Sequence, residues 1–493
     1  MAGTDLVGLQ IVEVELRGAE SDGLALHRHL ARLCADAVTP ELARTLARLG
    51  PPDGRLVVDR LEIDLGTLSW AELARELPAL VAREVAAFLG RFPASSLAAA
   101  GSPDNVRYRS HRQATGEALL TFLRTGRLPW SYRVPAGRHL ADEVLAAWTP
   151  AGGREAAPGA GLRAELIAVL AAEVPRRRLI QQFPPSLRRT LLRLLSAPAA
   201  ATVDSCLDVA GPEPAALGAR PADAPGRLQA SIWDVAFAGL AAGGAIPGPA
   251  ELVTVAWRSV PVTASGHTEL GDRLRDRFGE IEPPARRVPG PVGLSPPGNR
   301  PGGPARSPGS TPPNGTARSP QDTSPDATAP DEGAYVTNAG VVLLHPFLPR
   351  FFEALGVADG ERLRQPERAL GLLHHLATGQ VTAPEYDLTV AKVLCEVPAE
   401  EPTAVVVLGD DEIAEADALL RAAIRHWDAL RGTGPAGLRE TFLTRPGKLL
   451  DRDGDRLLRV EAESFDILLD QLPWGMSMIR LPWMSRLLLV EWR

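Results

Sequence analysis

Cysteine is almost missing from the sequence. Cys34, Cys206 and Cys395 are the only three in 493 residues. They are odd in number, far apart and without CxxC spacing, which excludes a disulfide framework and suits a reducing compartment. Lysine is scarcer still, since only Lys392 and Lys448 stand among 53 basic residues. A GC-rich coding bias explains that preference without any anion-binding role. There is no basic excess, because the formal net charge is −7. Such a balance gives no electrostatic reason to expect nucleic acid or an anionic membrane as partner. No stretch approaches the roughly 18 to 20 uninterrupted apolar residues of a membrane span. The opening MAGTDLVGLQIVEVEL lacks the basic start and apolar run of a secretory leader, so a cytoplasmic protein is expected. Aromatic residues make up only 5% of the chain.

What is present divides the chain by composition. In residues 1–93 two stretches alternate between apolar and charged positions. Leu9–Leu16 sets Val12, Val14 and Leu16 against Glu13 and Glu15, and Leu56–Leu65 sets Leu61, Ile63 and Leu65 against Arg60, Glu62 and Asp64. A period of two predicts half-buried strands. Between them Leu26, Leu30, Leu33 and Ala37, then Leu42, Leu46 and Leu49, recur at helical spacing. Behind them Ser69-Trp70-Ala71-Glu72 is a capping box followed by the apolar stripe Leu73, Leu77, Leu80, Val81, Val85, Phe88 and Leu89. A β-α-β-α module is the expectation. Residues 94–280 are Ala/Leu/Arg-rich and broken by Pro and Gly, as short packed helices require. Residues 281–333 form a Pro/Gly/Ser-rich stretch with 14 prolines between 283 and 330 and few large apolar side chains. Its composition cannot offset the entropy of ordering, so it reads as a disordered linker that would reach on the order of 150 Å fully extended.

Residues 334–493 read as a second globular unit, mostly helical. Helices are expected over Glu367–Thr378, ending at Gly379, after Pro384, from Asp410-Asp411-Glu412, and over Phe465–Leu472. Asp453-Gly454 between Lys448–Leu450 and Leu457–Glu461 signals a hairpin. Aliphatic stretches near Ile479–Leu481 and Leu487–Val490 close the unit. The expected fold class is α+β, mainly helical.

Motifs for chemistry are sparse. His345, His374, His375, His426, Glu385, Asp387 and Cys395 share one unit, yet no HExxH or paired-cysteine spacing occurs, and adjacent His374 and His375 diverge by about 100° on a helix. Asp451–Asp455 has its glycine at the wrong place for a calcium loop. Gly239–Gly244 lacks a phosphate-loop GK[ST], and no GxSxG occurs. No catalytic residue, metal or cofactor is expected, and a metal-dependent enzyme using His374 and Cys395 is the weaker alternative. The scarce tryptophan concentrates in Leu-Pro-Trp, at Trp130, Trp474 and Trp483, with Trp492 beside the end. Two readings stay open for these four: indoles covering a core edge, or anchors that contact a partner.

The C-terminal unit resembles the tape measure proteins of contractile injection systems, phage-tail-like particles such as antifeeding prophages and Photorhabdus virulence cassettes. The resemblance lies in YVTNAG (335–340), VVLLHPFLPRFFEALG (341–356), LLHHLATG (372–379), PEYDLTVAKVLCEVP (384–398), HWDALRGTGPAGLRETFLTRPGKL (426–449) and DILLDQLPWGMSMIRLPWM (466–484). VVDRLEIDLGTLSW (57–70) and LLTFLRTGRLPW (119–130) extend it to the N-terminal part. It implies a non-enzymatic assembly protein that helps set the length of the inner tube and sheath and sits with inner tube, baseplate or tail-tip proteins. The alternative is a baseplate or tube assembly factor without a measuring role. No sustained heptad pattern appears, so any span must come from the linker, with middle and linker holding the end modules apart.

Overall fold

The computed structural model describes residues 7, 10–17, 22–51, 54–92, 105–129, 131–135, 137–148, 160–210, 226–243, 246–259, 276–277, 333–430, 432–452 and 455–492. The architecture is α+β and mainly helical, with small sheets. Apart from Gly333, the expected linker over residues 281–333 lies outside the described residues.

At the N-terminal side α1 (Asp22–Leu33) runs through a π turn (Cys34–Val38) into α2 (Thr39–Leu49), and β1 (Gly54–Val58) precedes α3 (Trp70–Gly90). Leu33, Val38 and Leu77 are buried between the helices, with Leu65 and Leu68 packed on them. The capping box forms as its residues predict: the Glu72 carboxylate accepts from the Ser69 amide at 3.0 Å and from its hydroxyl at 2.6 Å. The β-α-β-α expectation needs correction in its strands. Gln10–Arg17 carries no strand and is exposed throughout, and the second strand is confined to Gly54–Val58. Alternation makes a segment fit for a sheet, but a ladder needs a partner, and β1 takes β2 (Val106–Ser110), antiparallel with Leu56 opposite Tyr108.

β2 leads into α4 (His111–Thr125), α5 (Leu140–Trp148), α6 (Ala160–Leu170), α7 (Glu173–Gln182), α8 (Pro185–Leu195), α9 (Ala197–Ala210), α10 (Arg227–Ala241) and α11 (Pro249–Ser259). Their shared core holds Leu119, Phe122, Leu123, Trp148, Leu187, Leu191, Trp233 and Phe237, all 2% exposed or less. Burying each such side chain contributes about 1.5–3 kcal/mol, the term that makes short, Pro-interrupted helices persist here.

The C-terminal part opens with β3 (Ala334–Val336) and a 3-10 turn (Ala339–Leu344). It continues through α12 (Leu348–Ala354), the ribbon β4 (Ala358–Asp359) and β5 (Arg362–Leu363), α13 (Pro366–Thr378), α14 (Thr389–Leu394), α15 (Asp410–His426) and α16 (Pro435–Leu438). α13 stops as expected at Gly379, whose φ of 75° is left-handed. The hairpin is β6 (Gly447–Arg452) with β7 (Asp455–Val460), Arg452 opposite Asp455. A 3-10 helix over Ser464–Gln471 replaces the expected α-helix before β8 (Met478–Ile479) and β9 (Leu488–Trp492). The sheet order is β3-β6-β7-β9-β8, with β9 parallel to β7. Its last strand is therefore an inner one.

The helical body and the C-terminal part pack together. The Phe122 ring meets Tyr386 edge-on at 5.7 Å, and the Arg133 guanidinium lies 3.3 Å from the Tyr335 ring centroid. The chain between Ser259 and Ala334 thus begins and ends on joined elements. This differs from the expected separation of the modules by middle and linker.

Candidate functional site

The joint is built around three buried charges. The Glu385 carboxylate accepts from Arg178 Nε at 3.0 Å and from Lys392 Nζ at 2.7 Å, with side-chain exposures of 0%, 0% and 3% for Glu385, Arg178 and Lys392. α7 supplies Arg178, the turn after Pro384 supplies Glu385, and α14 supplies Lys392. The remaining donors are spent on main-chain oxygens from both sides. Arg178 Nη1 reaches Leu123 O at 2.6 Å and Nη2 reaches Glu400 O, while Lys392 Nζ reaches Ala399 O at 3.0 Å and Glu401 O at 2.7 Å. Gln182 finishes the seam: its Nε2 donates to Thr403 O at 2.6 Å, and its Oε1 accepts from the Glu385 amide at 3.0 Å. At its rim Arg177 pairs with Glu401.

Desolvation pushes the Lys392 ammonium below its ordinary value, and Glu385 opposes that shift. Every oxygen of the carboxylate is engaged with a cation. The cluster therefore clamps two surfaces together, with each carboxylate oxygen held by a buried cation. Removing one member would strand a charge in low dielectric, a loss of about 3–5 kcal/mol. Gly126, capping α4 with φ 74°, makes the fit possible: a Cβ there would stand 2.6 Å from Glu385 Oε1 and 3.1 Å from Arg178 Nη2.

The tryptophans hold the other conspicuous arrangement. Trp483 is 9% exposed, stacks on Phe352 at 5.5 Å and donates from Nε1 to Leu394 O at 2.8 Å. Trp474 is half-buried, donates to Leu343 O at 3.0 Å and meets Phe347 edge-on at 5.2 Å. Trp492 is 6% exposed and donates to Asp466 Oδ2 at 3.2 Å, the oxygen that also accepts from Arg445 Nη2 at 3.0 Å. All three indole N–H groups are thus used inside the chain, as buried tryptophan requires. Trp130 lies outside the described residues. Beside Trp483, Glu396 takes the rare φ of 54° for a non-glycine residue, and its carboxylate accepts from the Ser485 amide and hydroxyl and the Arg486 amide. That strain is repaid by fixing the second Leu-Pro-Trp loop onto the end of α14.

The histidines do not converge. His375 Nδ1 bonds Gln380 O at 3.0 Å, whereas His374 turns toward Asp387, 4.0 Å away, and Thr378. Burial and then His375 push His374 down to about 4, and burial raises Asp387 to about 6. Burial also pushes the Cys395 thiol far above its ordinary value, which keeps it from acting as a nucleophile. Among the described residues no group of three or more His, Cys, Asp or Glu is placed to hold a metal ion.

A family model described as contractile injection system tape measure protein matches residues 4–492. The chain belongs to this family. No curated protein and no solved structure matches the chain. The tape measure match spans the seam and the tryptophan-rich end alike. Among the described residues of this family member no helix is long and apolar enough to cross a membrane. The seam itself escaped the reading of the sequence. Its one signal was Lys392, one of only two lysines, set in the apolar helix Thr389–Leu394 where a core residue belongs.

Proposed function

We propose that this protein is a non-enzymatic assembly component of a contractile injection particle that helps set the length of the inner tube and sheath. Its partners in this reading are inner tube, baseplate or tail-tip proteins. The observation that carries it is the family match across residues 4–492. The fully engaged charges of the seam and the inert thiol of Cys395 agree with an assembly role. The extensible Pro/Gly/Ser-rich stretch 281–333 supplies the reach.

The seam favours a second reading, an assembly factor without measuring activity. Because Arg178 and Glu385 join the two sides, the stretch between Ser259 and Ala334 cannot separate them while the joint is closed. Deleting about half of residues 283–330 discriminates. A measuring protein gives shorter particles in electron micrographs, whereas intact particles of unchanged length remove the measuring role and leave the assembly factor. Truncation after Leu469 abolishes particles under either reading, because β8 and β9 are lost.

A further inference from the structure

Gln10–Arg17 is a strand-like sequence left in water. Ile11 is 71% exposed, Val12 46%, Val14 52% and Leu16 38%, and the segment carries no secondary structure. β-branched residues alternating with acids fit a pleated sheet with one buried face. The matching vacancy is in the same chain. β1 and β2 form a sheet of two strands among the described residues, so β2 has one edge without a ladder, and two strands alone are marginal in water.

The two halves complement each other in register and charge. β2 carries Arg107 and Arg109 two positions apart, and the segment carries Glu13 and Glu15 at the same spacing. Placing Val14 opposite Tyr108 sets both glutamates opposite both arginines on one face. It also sets Val12, Val14 and Leu16 on the face where Val106 is 0% exposed and Tyr108 is half-buried. This holds whether the added strand runs parallel or antiparallel, because residues of like parity share a face. Arg107 and Arg109 pair on the surface with Asp59 and Glu117, each at 2.6 Å, and a guanidinium with five N–H donors can donate to a further carboxylate.

The geometry points to a second copy of this chain as the occupant: residues 11–16 of one copy add as a third strand to the β2 edge of the next. Within one chain the two halves have different neighbours. Gln10 sits by Cys34 in the turn between α1 and α2, whereas β2 packs on α4. Each copy thus offers one strand and one β2 edge, a head-to-tail contact that propagates into a ring or a row. Main-chain hydrogen bonds give such strand addition its strength, and the Glu–Arg pairs give it register.

The test uses full-length protein with Cys34→Ser, so that only introduced thiols are accessible. A Val14→Cys chain is mixed with a Tyr108→Cys chain under mild oxidation. A covalent dimer that needs both variants supports strand exchange between copies; its absence from the folded mixture overturns it, as does a bond formed only within single chains carrying both cysteines. A second arm needs no cysteine. By analytical ultracentrifugation, Glu13→Arg with Glu15→Arg weakens self-association about tenfold or more, as does Arg107→Glu with Arg109→Glu, and mixing the two restores it. A wild-type chain that stays monomeric at every concentration, or reversals without effect, overturns the proposal.

Discussion

Replacing Gly126 with alanine tests whether the seam is as tightly fitted as its distances say. Gly137 supplies the control, because it has the same φ of 74° but nothing within 4 Å of the position a Cβ would take. Alanine at Gly137 incurs the left-handed penalty alone, about 1–2 kcal/mol. At Gly126 the same penalty applies, and the new methyl meets Glu385 Oε1 at 2.6 Å. That oxygen cannot swing aside freely, since Lys392 Nζ holds it at 2.7 Å. Displacing it forfeits at least one charge-assisted hydrogen bond in a dry site, a further loss of about 1.5–3 kcal/mol. Gly126→Ala should therefore cost about 3–5 kcal/mol in all, two to three times the control. Thermal unfolding compares the two variants, and amide hydrogen exchange locates the effect. Protection should fall around 178–182 and 385–403 for Gly126→Ala and stay at the wild-type level there for Gly137→Ala. Equal losses for the two variants, or unchanged exchange along the seam, would refute the reasoning.

Glu385→Gln leaves Arg178 and Lys392 buried without their counter-charge and should cost about 3–5 kcal/mol, whereas the apolar triple Arg178→Met, Glu385→Leu, Lys392→Met should lie closer to wild type; denaturant titration ranks them, and a triple worse than the single change would contradict the assignment. Trp483→Ala should lower stability by about 3–5 kcal/mol, and Trp483→Phe by about 1–3 kcal/mol through the orphaned Leu394 carbonyl, both read as shifts in melting temperature. His374 is neutral in the fold down to about pH 4 against an ordinary 6.5, so its contribution is present above pH 6.5 and fades as pH falls toward 4. Asp387, raised to about 6 from 3.8, acts with the opposite sign, contributing below 3.8 and fading as pH rises through 6. Asp387→Asn should consequently steepen the acid loss of stability between pH 6.5 and 4 by removing the opposing slope, and unfolding curves across that range that stay parallel to wild type would exclude the pair.

Local signals were legible where a local cause was sufficient. The Ser69–Glu72 box, the Gly379 stop of α13, the acidic start of α15 and the hairpin about Asp453-Gly454 each depend on neighbours a few residues apart. Leu9–Leu16 and Leu56–Leu65 were misplaced because alternation reports fitness for a sheet and says nothing of which ladder is free. β2 was missed for the converse reason: Val106-Arg107-Tyr108-Arg109 alternates, but over too short a run to stand out. The seam depends on separations of 207 residues between Arg178 and Glu385, beyond any periodicity, and only the misfit of Lys392 in an apolar helix marked it. The tryptophans of the C-terminal loops drew notice by repetition, yet their hydrogen-bond acceptors at Leu343 and Leu394 follow from packing alone.

The order of strands in the C-terminal sheet has a consequence for folding. β9 lies between β7 and β8, so the sheet has a gap until residues 488–492 dock there. Until β9 is in place, Leu457 and Leu458 on β7, 4% and 1% exposed in the fold, lack the strand that pairs along their edge. Folding that waits on such a non-local partner is slow and exposes unpaired edges to neighbouring chains. Loss of residues 488–492 would leave β7 and β8 each with an unpaired edge, so the closure of this sheet hinges on one five-residue strand.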